Sequence, residues 1–372
     1  MSPQLEIQII AIIVAIACAL PGVFLVLRKM AMMSDAITHT ILLGIVIAFF
    51  AVHSLSSPLL LFGATLMGIL TVYLVELLTK TKLVSKDSAI GLVFPLLFSL
   101  AIILISKYAG SVHLDTDSVL LGELAFAPFN RLKIAGVDLG AKAMYSMGLI
   151  LILNIVFIFM FFKELKLATF DAGLATVLGF SPVVLHYALM ASVSITAVGA
   201  FEAVGSILVI AFMIGPPVSA YLITDDLKRM IGISALLGVI NALFGYQMAF
   251  AFDVSIAGSM ATMTGITFLV VFIFAPSRGL ITVIRRRRFQ RIDFTAKSML
   301  FHIYYHENAI DVQIENGINS IYNHLNWPRN FLNKIVEILK KEKYIIEENG
   351  MFKLTDNGRE YVIKSYEEIA NS

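Results

Sequence analysis

The chain has 372 residues, of which 58% are hydrophobic and only 15% are charged, and its mean hydropathy is +0.86. This composition excludes an ordinary water-soluble protein and indicates an integral membrane protein. The single cysteine, Cys18, excludes a disulfide framework, a cysteine-based zinc cluster and an iron–sulfur cluster.

Charge density divides the chain into two parts. Residues 1–288 carry 18 Lys and Arg against 14 Asp and Glu, whereas residues 289–372 carry 10 against 12. The change falls just after the run Arg285–Arg288. The sequence therefore predicts a transmembrane domain over residues 1–288 and a small cytosolic domain over residues 289–372.

Nine apolar stretches are long enough to cross about 30 Å of hydrocarbon. They lie near residues 6–27, 38–53, 58–78, 88–106, 144–162, 184–200, 203–222, 229–250 and 259–280. The predicted fold of the first part is an all-α polytopic domain with about eight to nine transmembrane helices. An N-terminus outside and a C-terminus in the cytosol place 14 of the 18 basic residues on the inner side.

The sequence of the tail, residues 289–372, predicts a definite order of secondary-structure elements. We expect helices over Thr295–His306, Ile314–His324 and Pro328–Lys343, a β-hairpin over Tyr344–Leu354 turning at Asn349-Gly350, and a last helix from Thr355. Three helices and a hairpin resemble a winged-helix domain of the α+β class.

The third helix of the tail leaves two interpretations open. Its basic residues are Arg329, Lys334, Lys340 and Lys341. They are compatible with a face that reads DNA. The interleaved Glu337 and Glu342, with the net negative charge of the tail, favour a protein-docking or regulatory role instead.

Asp35 and His39 are ionisable residues near the start of the second predicted span. Four residues apart on a helix, they share a face and can hold one divalent cation through oxygen and nitrogen, which suits Mn²⁺, Fe²⁺ or Zn²⁺. The alternatives are a buried Asp–His ion pair, or a helix N-cap by Ser34 or Asp35 with an interfacial His39.

Glu202 lies between two long apolar runs. It is either a pore carboxylate that completes a metal site or a residue of the turn at the outer mouth. The outer loop adds four candidate ligands: His113, Asp115, Asp117 and Glu123. This loop either attracts cations or docks a partner, or it is an ordinary solvated loop.

In the tail, His302 and His306 are four apart, with Glu307 beside them. They form either a metal-binding face or exposed positions on an amphipathic helix.

Two further segments concern motion and coupling. Pro216 and Pro217 interrupt the seventh span, where a missing backbone donor should produce a kink, a gate hinge or the end of the helix. The loop 163–182 contains Glu164, Asp171 and a helical stretch capped by Gly179. It is either a contact for a cytosolic partner or a connector lying on the lipid.

The chain contains no G-x-x-x-x-G-K-[ST] motif and no Gly-Lys dipeptide. It therefore has no phosphate-binding loop, and ATP-driven transport would need a separate ATPase subunit. No nucleophile–base set is visible, so we expect a protein that is not an enzyme.

Four segments together resemble the permease subunits of ATP-binding-cassette importers for manganese, zinc and iron. They are Ser34–His39 with Gly44, Phe162–Leu165 with Phe170-Asp171, Glu202–Val209, and Phe274–Gly279. The loop from Ser111 to Phe126 is more like the manganese or iron branch of that family than the zinc branch.

The resemblance implies a subunit of a bacterial cytoplasmic-membrane importer with no permanently bound cofactor, carrying manganese first, then zinc or iron. It implies a second permease copy or paired permease, cytosolic ATPases docked at the 163–182 loop, and an extracellular metal-binding lipoprotein. Asp35, His39 and Glu202 become the expected pore ligands. The alternatives are a membrane-tethered transcription regulator and an ATP-independent divalent-cation transporter.

Overall fold

The computed structural model describes residues 2–53, 57–108, 124–134, 137–318, 320–321 and 327–370. The chain divides into two compact units, Met1–Gly279 and Leu280–Ser372. The four-arginine run lies in the second unit, inside its first helix.

The described part of the first unit is almost entirely helical. Its α-helices are α1 Pro3–Leu27, α2 Ala31–Val52, α3 Pro58–Lys80, α4 Lys86–Tyr108, α5 Lys142–Met160, α6 Phe162–Phe170, α7 Ala172–Val177, α8 Pro182–Val204, α9 Ser206–Ile223, α10 Leu227–Phe252 and α11 Ile256–Phe274. Nine of them, all except α6 and α7, are long and apolar enough to cross a membrane. The nine predicted spans are confirmed as helices. The second begins at Ala31, seven residues earlier than expected, and the ninth ends at Phe274.

Serine followed by proline begins three of the membrane-length helices. The hydroxyl oxygens of Ser2, Ser57 and Ser181 accept hydrogen bonds from backbone N–H groups in the first turn. Proline at the first helical position needs no such bond and has a backbone angle already suited to a helix. The polar cap and the proline together fix where α1, α3 and α8 start.

Helix α1 lies at the centre of the first unit and packs against α5, α8, α9 and α10. Helix α2 packs against α3, α4 and α8, and α11 packs against α9 and α10. Close approach of α2 to α3 depends on Gly44, since a Cβ there would lie 2.4 Å from the carbonyl oxygen of Gly63. Small residues at such crossings are typical of helix packing in membranes.

Pro216 and Pro217 do not end α9, which continues to Ile223. The expectation that they mark the end of the helix is wrong. The carbonyl of Met213, which loses its usual donor because residue 217 is proline, packs against Gly22 of α1. A Cβ on Gly22 would lie 2.1 Å from that oxygen, so the glycine is required for this crossing.

Between α4 and α5, a 3₁₀ turn (Ala127–Phe129) precedes an antiparallel pair of strands, β1 Arg131–Ile134 and β2 Val137–Ala141. The pair is attached to α1 through Arg131. Its guanidinium lies 3.4 Å from the carboxylate of Glu6 and 2.5 Å from that of Asp138. Glu6 is 97% buried, so this contact offsets the cost of a carboxylate in an apolar interior.

The second unit contains α12 Leu280–His306, α13 Val312–Glu315, α14 Arg329–Lys341, the strands β3 Ile345–Glu348 and β4 Met351–Leu354, and α15 Asp356–Ala370. It has a hydrophobic core of its own, which includes Leu300, Ile335 and Phe352. The predicted hairpin is confirmed, and its turn residues Asn349 and Gly350 have positive φ angles, as an Asn-Gly turn requires.

Two details of the second unit differ from the expectation. Helix α12 begins at Leu280, because no glycine or proline interrupts residues 280–306. The predicted continuous helix Ile314–His324 is interrupted, since α13 ends at Glu315 and residues 316–318 are not helical. Ile321 is helical, and residues 319 and 322–326 lie outside the described part. The described strands of this unit form one two-stranded sheet, which does not by itself establish a winged-helix fold.

Candidate functional site

Asp35 and His39 lie on α2, one turn apart and partly buried. Their side chains are 35% and 24% exposed, and Nε2 of His39 is 3.4 Å from Oδ1 of Asp35. Two ligand atoms each about 2.1 Å from one ion are separated by roughly 3.0–3.5 Å in octahedral or tetrahedral geometry. The pair therefore already has the spacing of two ligands on one divalent cation.

The surroundings of the pair exclude one of the interpretations left open by the sequence, whereas the Asp–His ion pair and the metal site both agree with the geometry. The residue that precedes α2 is Met30, and no side chain caps this helix, so the expectation of an N-cap by Ser34 or Asp35 is wrong. The imidazole of His39 contacts the rings of Phe94 and Phe98 on α4, at centroid distances of 5.4 and 5.7 Å. These rings limit the rotation of His39 and hold it above Asp35.

The structure places Glu202 elsewhere. It lies in the last turn of α8, its side chain is 69% exposed, and Oε1 is 3.8 Å from Nζ of Lys142. Both residues line a cavity of 390 Å³ with Phe126 and Phe129. Within the described residues, no third His, Cys, Asp or Glu joins Asp35 and His39 in a ligand group. The role of Glu202 as a metal ligand stays a prediction.

The four candidate ligands in the loop between α4 and α5 have no described geometry. His113, Asp115, Asp117 and Glu123 lie outside the described residues.

The 163–182 loop forms two short helices instead of one. Asp171 separates α6 from α7 and caps α7, since its carboxylate accepts a hydrogen bond from the backbone N–H of Leu174 at 2.9 Å. Gly179 has a φ of +87° just after α7, as a helix-ending glycine requires. The two helices expose a row of large apolar side chains: Phe170, Leu174, Val177 and Leu178.

A polar cluster connects this loop to the ends of three long helices. Arg28, just after α1, donates through Nε to the hydroxyl of Thr169 at 3.0 Å and through a terminal nitrogen to Nδ1 of His186 at 3.3 Å. Nε2 of His186 lies 2.7 Å from Oε1 of Glu76, and the hydroxyl of Tyr187 donates to Oε2 of Glu76 at 2.7 Å. We name these five residues the Arg28 cluster.

Sequence reasoning missed the Arg28 cluster, although part of its signal was present. Glu76 and His186 are polar residues inside or beside predicted spans, the same criterion that selected Asp35 and His39. What could not be read locally is the pairing, because Arg28 and His186 are 158 residues apart in the chain.

A second buried polar group lies in the middle of the helix bundle. Asn154 on α5 is 3% exposed, and its amide donates to the carbonyl of Ala17 at 3.1 Å and to the hydroxyl of Thr196 at 2.8 Å. Ala17 lacks its usual helical donor, since residue 21 is proline. The asparagine therefore satisfies a carbonyl that the proline of α1 leaves free.

These features define a polytopic membrane protein with a partly buried carboxylate–imidazole pair on one of its membrane-length helices. The sequence model of the ABC 3 transport family matches residues 5–275. The chain belongs to this family and is a permease, the transport subunit, which is not itself catalytic.

Two curated relatives show the extent of the similarity. The zinc transport system membrane protein TroD of Treponema pallidum is 42% identical over 95% of this chain and 96% of its own length. The manganese transport system membrane protein MntD of Bacillus subtilis is 46% identical over 73% of this chain and 92% of its own length. TroD therefore matches much of the second unit as well.

Among solved structures, PsaBC from Streptococcus pneumoniae in complex with Fab matches with a TM-score of 0.62 and 28% identity, over 75% of this chain and 94% of that chain. This likeness agrees with the polytopic helical fold of the first unit. The comparisons do not support the winged-helix resemblance of the second unit.

Proposed function

We propose that this chain is the membrane-spanning subunit of an ATP-driven importer that carries Mn²⁺ first, and Zn²⁺ or Fe²⁺ less readily. The observation that carries the proposal is the 3.4 Å spacing of His39 Nε2 and Asp35 Oδ1 inside the bundle. Oxygen and imidazole donors suit all three metals, so the preference for manganese rests on the manganese transport proteins among the relatives.

The transport site is shared with a second copy of this chain. Divalent transition metals take four to six ligands, and one chain brings only Asp35 and His39 together within its described residues. Two copies meeting at α2 would supply four protein ligands. A shared site also has a mechanical consequence, since separating the two chains on one side weakens the ion's coordination and releases it.

The Arg28 cluster transmits ATPase movement to the helices. The exposed apolar row Phe170, Leu174, Val177 and Leu178 on α6 and α7 offers a docking surface for a cytosolic ATPase. Thr169 of α6 is hydrogen-bonded to Arg28, and Arg28 continues through His186 to Glu76 of α3. Displacement of α6 would therefore pull on α1, α3 and α8 together. In this interpretation Glu164, Asp171 and Gly179 shape the docking loop.

The orientation of the chain in the membrane follows from placing the ATPase at the 163–182 loop. The end of the bundle with Arg28 and the 163–182 loop faces the cytosol, and the N-terminus lies outside. The opposite end carries the cavity beside Lys142 and Glu202, where an extracellular metal-binding lipoprotein would release its ion. Glu202 is then an entry residue, and Pro216 and Pro217 remain candidates for a hinge in α9.

The second unit is proposed to be a cytosolic regulatory domain of winged-helix type that docks protein. Its element order supports this assignment. The basic face of α14 is partly neutralised, since Nζ of Lys340 lies 2.6 Å from Oε1 of Glu347.

The proposal is tested by metal uptake into proteoliposomes that hold the assembled transporter with its ATPase and binding protein. We expect Asp35→Asn and His39→Ala each to lower uptake by at least about 100-fold, since loss of even an outer-shell partner costs about 10–100-fold in metal affinity. His53→Asn, at the other end of α2, is the matched control and should transport normally.

Three outcomes would contradict the proposal. Wild-type uptake by both variants would remove the pair from the metal path. Uptake without ATP would indicate an ATP-independent cation transporter. A chain that inserts and assembles but moves no metal under any condition would favour the membrane-tethered regulator.

A further inference from the structure

Two histidines and a glutamate converge in the second unit. His302 and His306 lie one turn apart near the end of α12, with ring centroids 4.7 Å apart. Glu315, the last residue of α13, approaches them so that one ligand atom from each of the three residues lies within 4.8 Å of the others. Within the described residues, this is the one group of three or more such side chains.

The spacing in this group is close to that of ligands on one metal ion. Nε2 of His302 lies 3.6 Å from Oε2 of Glu315, and tetrahedral ligands about 2.0–2.2 Å from zinc are separated by about 3.3–3.6 Å. His306 has to close by roughly an ångström to complete the set, a movement within reach of a side-chain rotation. Nε2 of His302 also lies 3.1 Å from the backbone carbonyl of Glu315, so an ion would replace this contact.

The backbone around the group is held in place by other contacts. The amide of Asn316 donates to the carbonyl of Ile303 at 3.1 Å, which fixes the end of α13 against α12. Glu307, the acidic residue that the sequence places beside the histidines, is not the third ligand, because its carboxylate pairs with Arg359. Glu315 occupies that position instead, and all three side chains are partly buried.

We propose that His302, His306 and Glu315 form a binding site for a divalent transition metal, with Zn²⁺ held more tightly than Mn²⁺. Two imidazoles and one carboxylate are a zinc-type ligand set that leaves a fourth position for water. For nitrogen and oxygen ligands, affinity rises from Mn²⁺ to Zn²⁺, so this site discriminates against manganese. The bound ion ties α13 to α12.

The experiment uses the purified full-length chain carrying Asp35→Asn and His39→Ala, so that the pair in the helix bundle does not contribute. The metal-free protein is titrated with Co²⁺, whose visible absorption reports ligand type and geometry, and Zn²⁺ is then added as competitor. We expect one Co²⁺ site per chain, displaced by Zn²⁺ but not by an equal concentration of Mn²⁺. His302→Gln, His306→Gln and Glu315→Gln should each weaken Co²⁺ binding by at least about tenfold, whereas Glu307→Gln should bind normally.

A readout of folding separates a lost ligand from a damaged domain. Trp327 is the only tryptophan of the chain and packs against the core of the second unit, so its emission reports on this unit alone. Variants with unchanged emission but weakened Co²⁺ binding support the site. The proposal is overturned if His302→Gln and Glu315→Gln retain both the Co²⁺ spectrum and the affinity, or if the parent protein binds no Co²⁺. Because the bundle pair is absent throughout, these outcomes do not depend on the proposed transport site.

Discussion

Two histidine–carboxylate groups that we propose as metal sites differ in completeness. In the helix bundle, Asp35 and His39 offer two ligand atoms 3.4 Å apart, both from α2. In the second unit, His302, His306 and Glu315 offer three from two helices. In our proposal, the first group needs ligands from a second chain, whereas the second group needs only water.

This difference corresponds to two tasks. A transport site has to release its ion on every cycle, and a site divided between two chains can be opened by moving the chains apart. A site within one small folded unit is not opened by moving two chains apart. Its occupancy therefore follows the concentration of free metal ion. The bundle pair is therefore suited to passage, and the group in the second unit to sensing.

The largest effect is expected from variants of the Arg28 cluster, which should disconnect ATP hydrolysis from movement of the helices. We expect Arg28→Ala or Glu76→Gln to lower metal-stimulated ATP hydrolysis and uptake by at least about tenfold, because a hydrogen bond to a charged group contributes about 1.5–3 kcal/mol. Zinc binding in the second unit should not change. The measurement is coupled ATPase activity of the reconstituted transporter.

Arg229→Ala is the matched control for this prediction, since Arg229 is an exposed cation at the start of α10. Normal coupled hydrolysis in both cluster variants would show that the Arg28 cluster only stabilises the helix ends.

A smaller effect is expected when the second unit is removed. A cut after Gly279 is preferable to one after Arg288, since α12 runs through residue 288. The shortened chain should keep its maximal uptake rate but lose the dependence of that rate on internal metal. Uptake is measured against vesicles loaded with graded Zn²⁺. Complete loss of uptake in a shortened protein that still assembles would show that the second unit is structural.

The features that sequence predicted are those encoded locally. The nine spans follow from runs of apolar residues, and the hairpin at Asn349-Gly350 follows from a turn that needs two positive φ angles. Helical spacing alone predicts that Asp35 and His39 share one face of α2, and their contact confirms this.

The features that sequence could not predict depend on contacts between distant segments. The pairing of Arg131 with Glu6 joins residues 125 apart, and the path from Arg28 to Glu76 passes through three helices. In the second unit, Glu307 is adjacent to His306 in sequence, whereas Glu315 comes close to both histidines only because α13 folds back onto α12. Proximity in sequence therefore does not predict which carboxylate lies beside the histidines when a turn brings a second helix back against the first.

In our proposal, the Asp35–His39 pair is completed by a second chain, whereas the group His302, His306 and Glu315 is complete within one chain. This difference is tested most directly by counting bound metal. The assembled full-length protein is dialysed to equilibrium against buffered Zn²⁺, and the ions bound per chain are counted by atomic emission. Replacing His302 and Glu315 with glutamine should remove one ion per chain, whereas combining Asp35→Asn with His39→Ala should remove one ion for every two chains. Loss of a full ion per chain from the Asp35 and His39 variant would contradict the account, because the pair would then complete its site within a single chain.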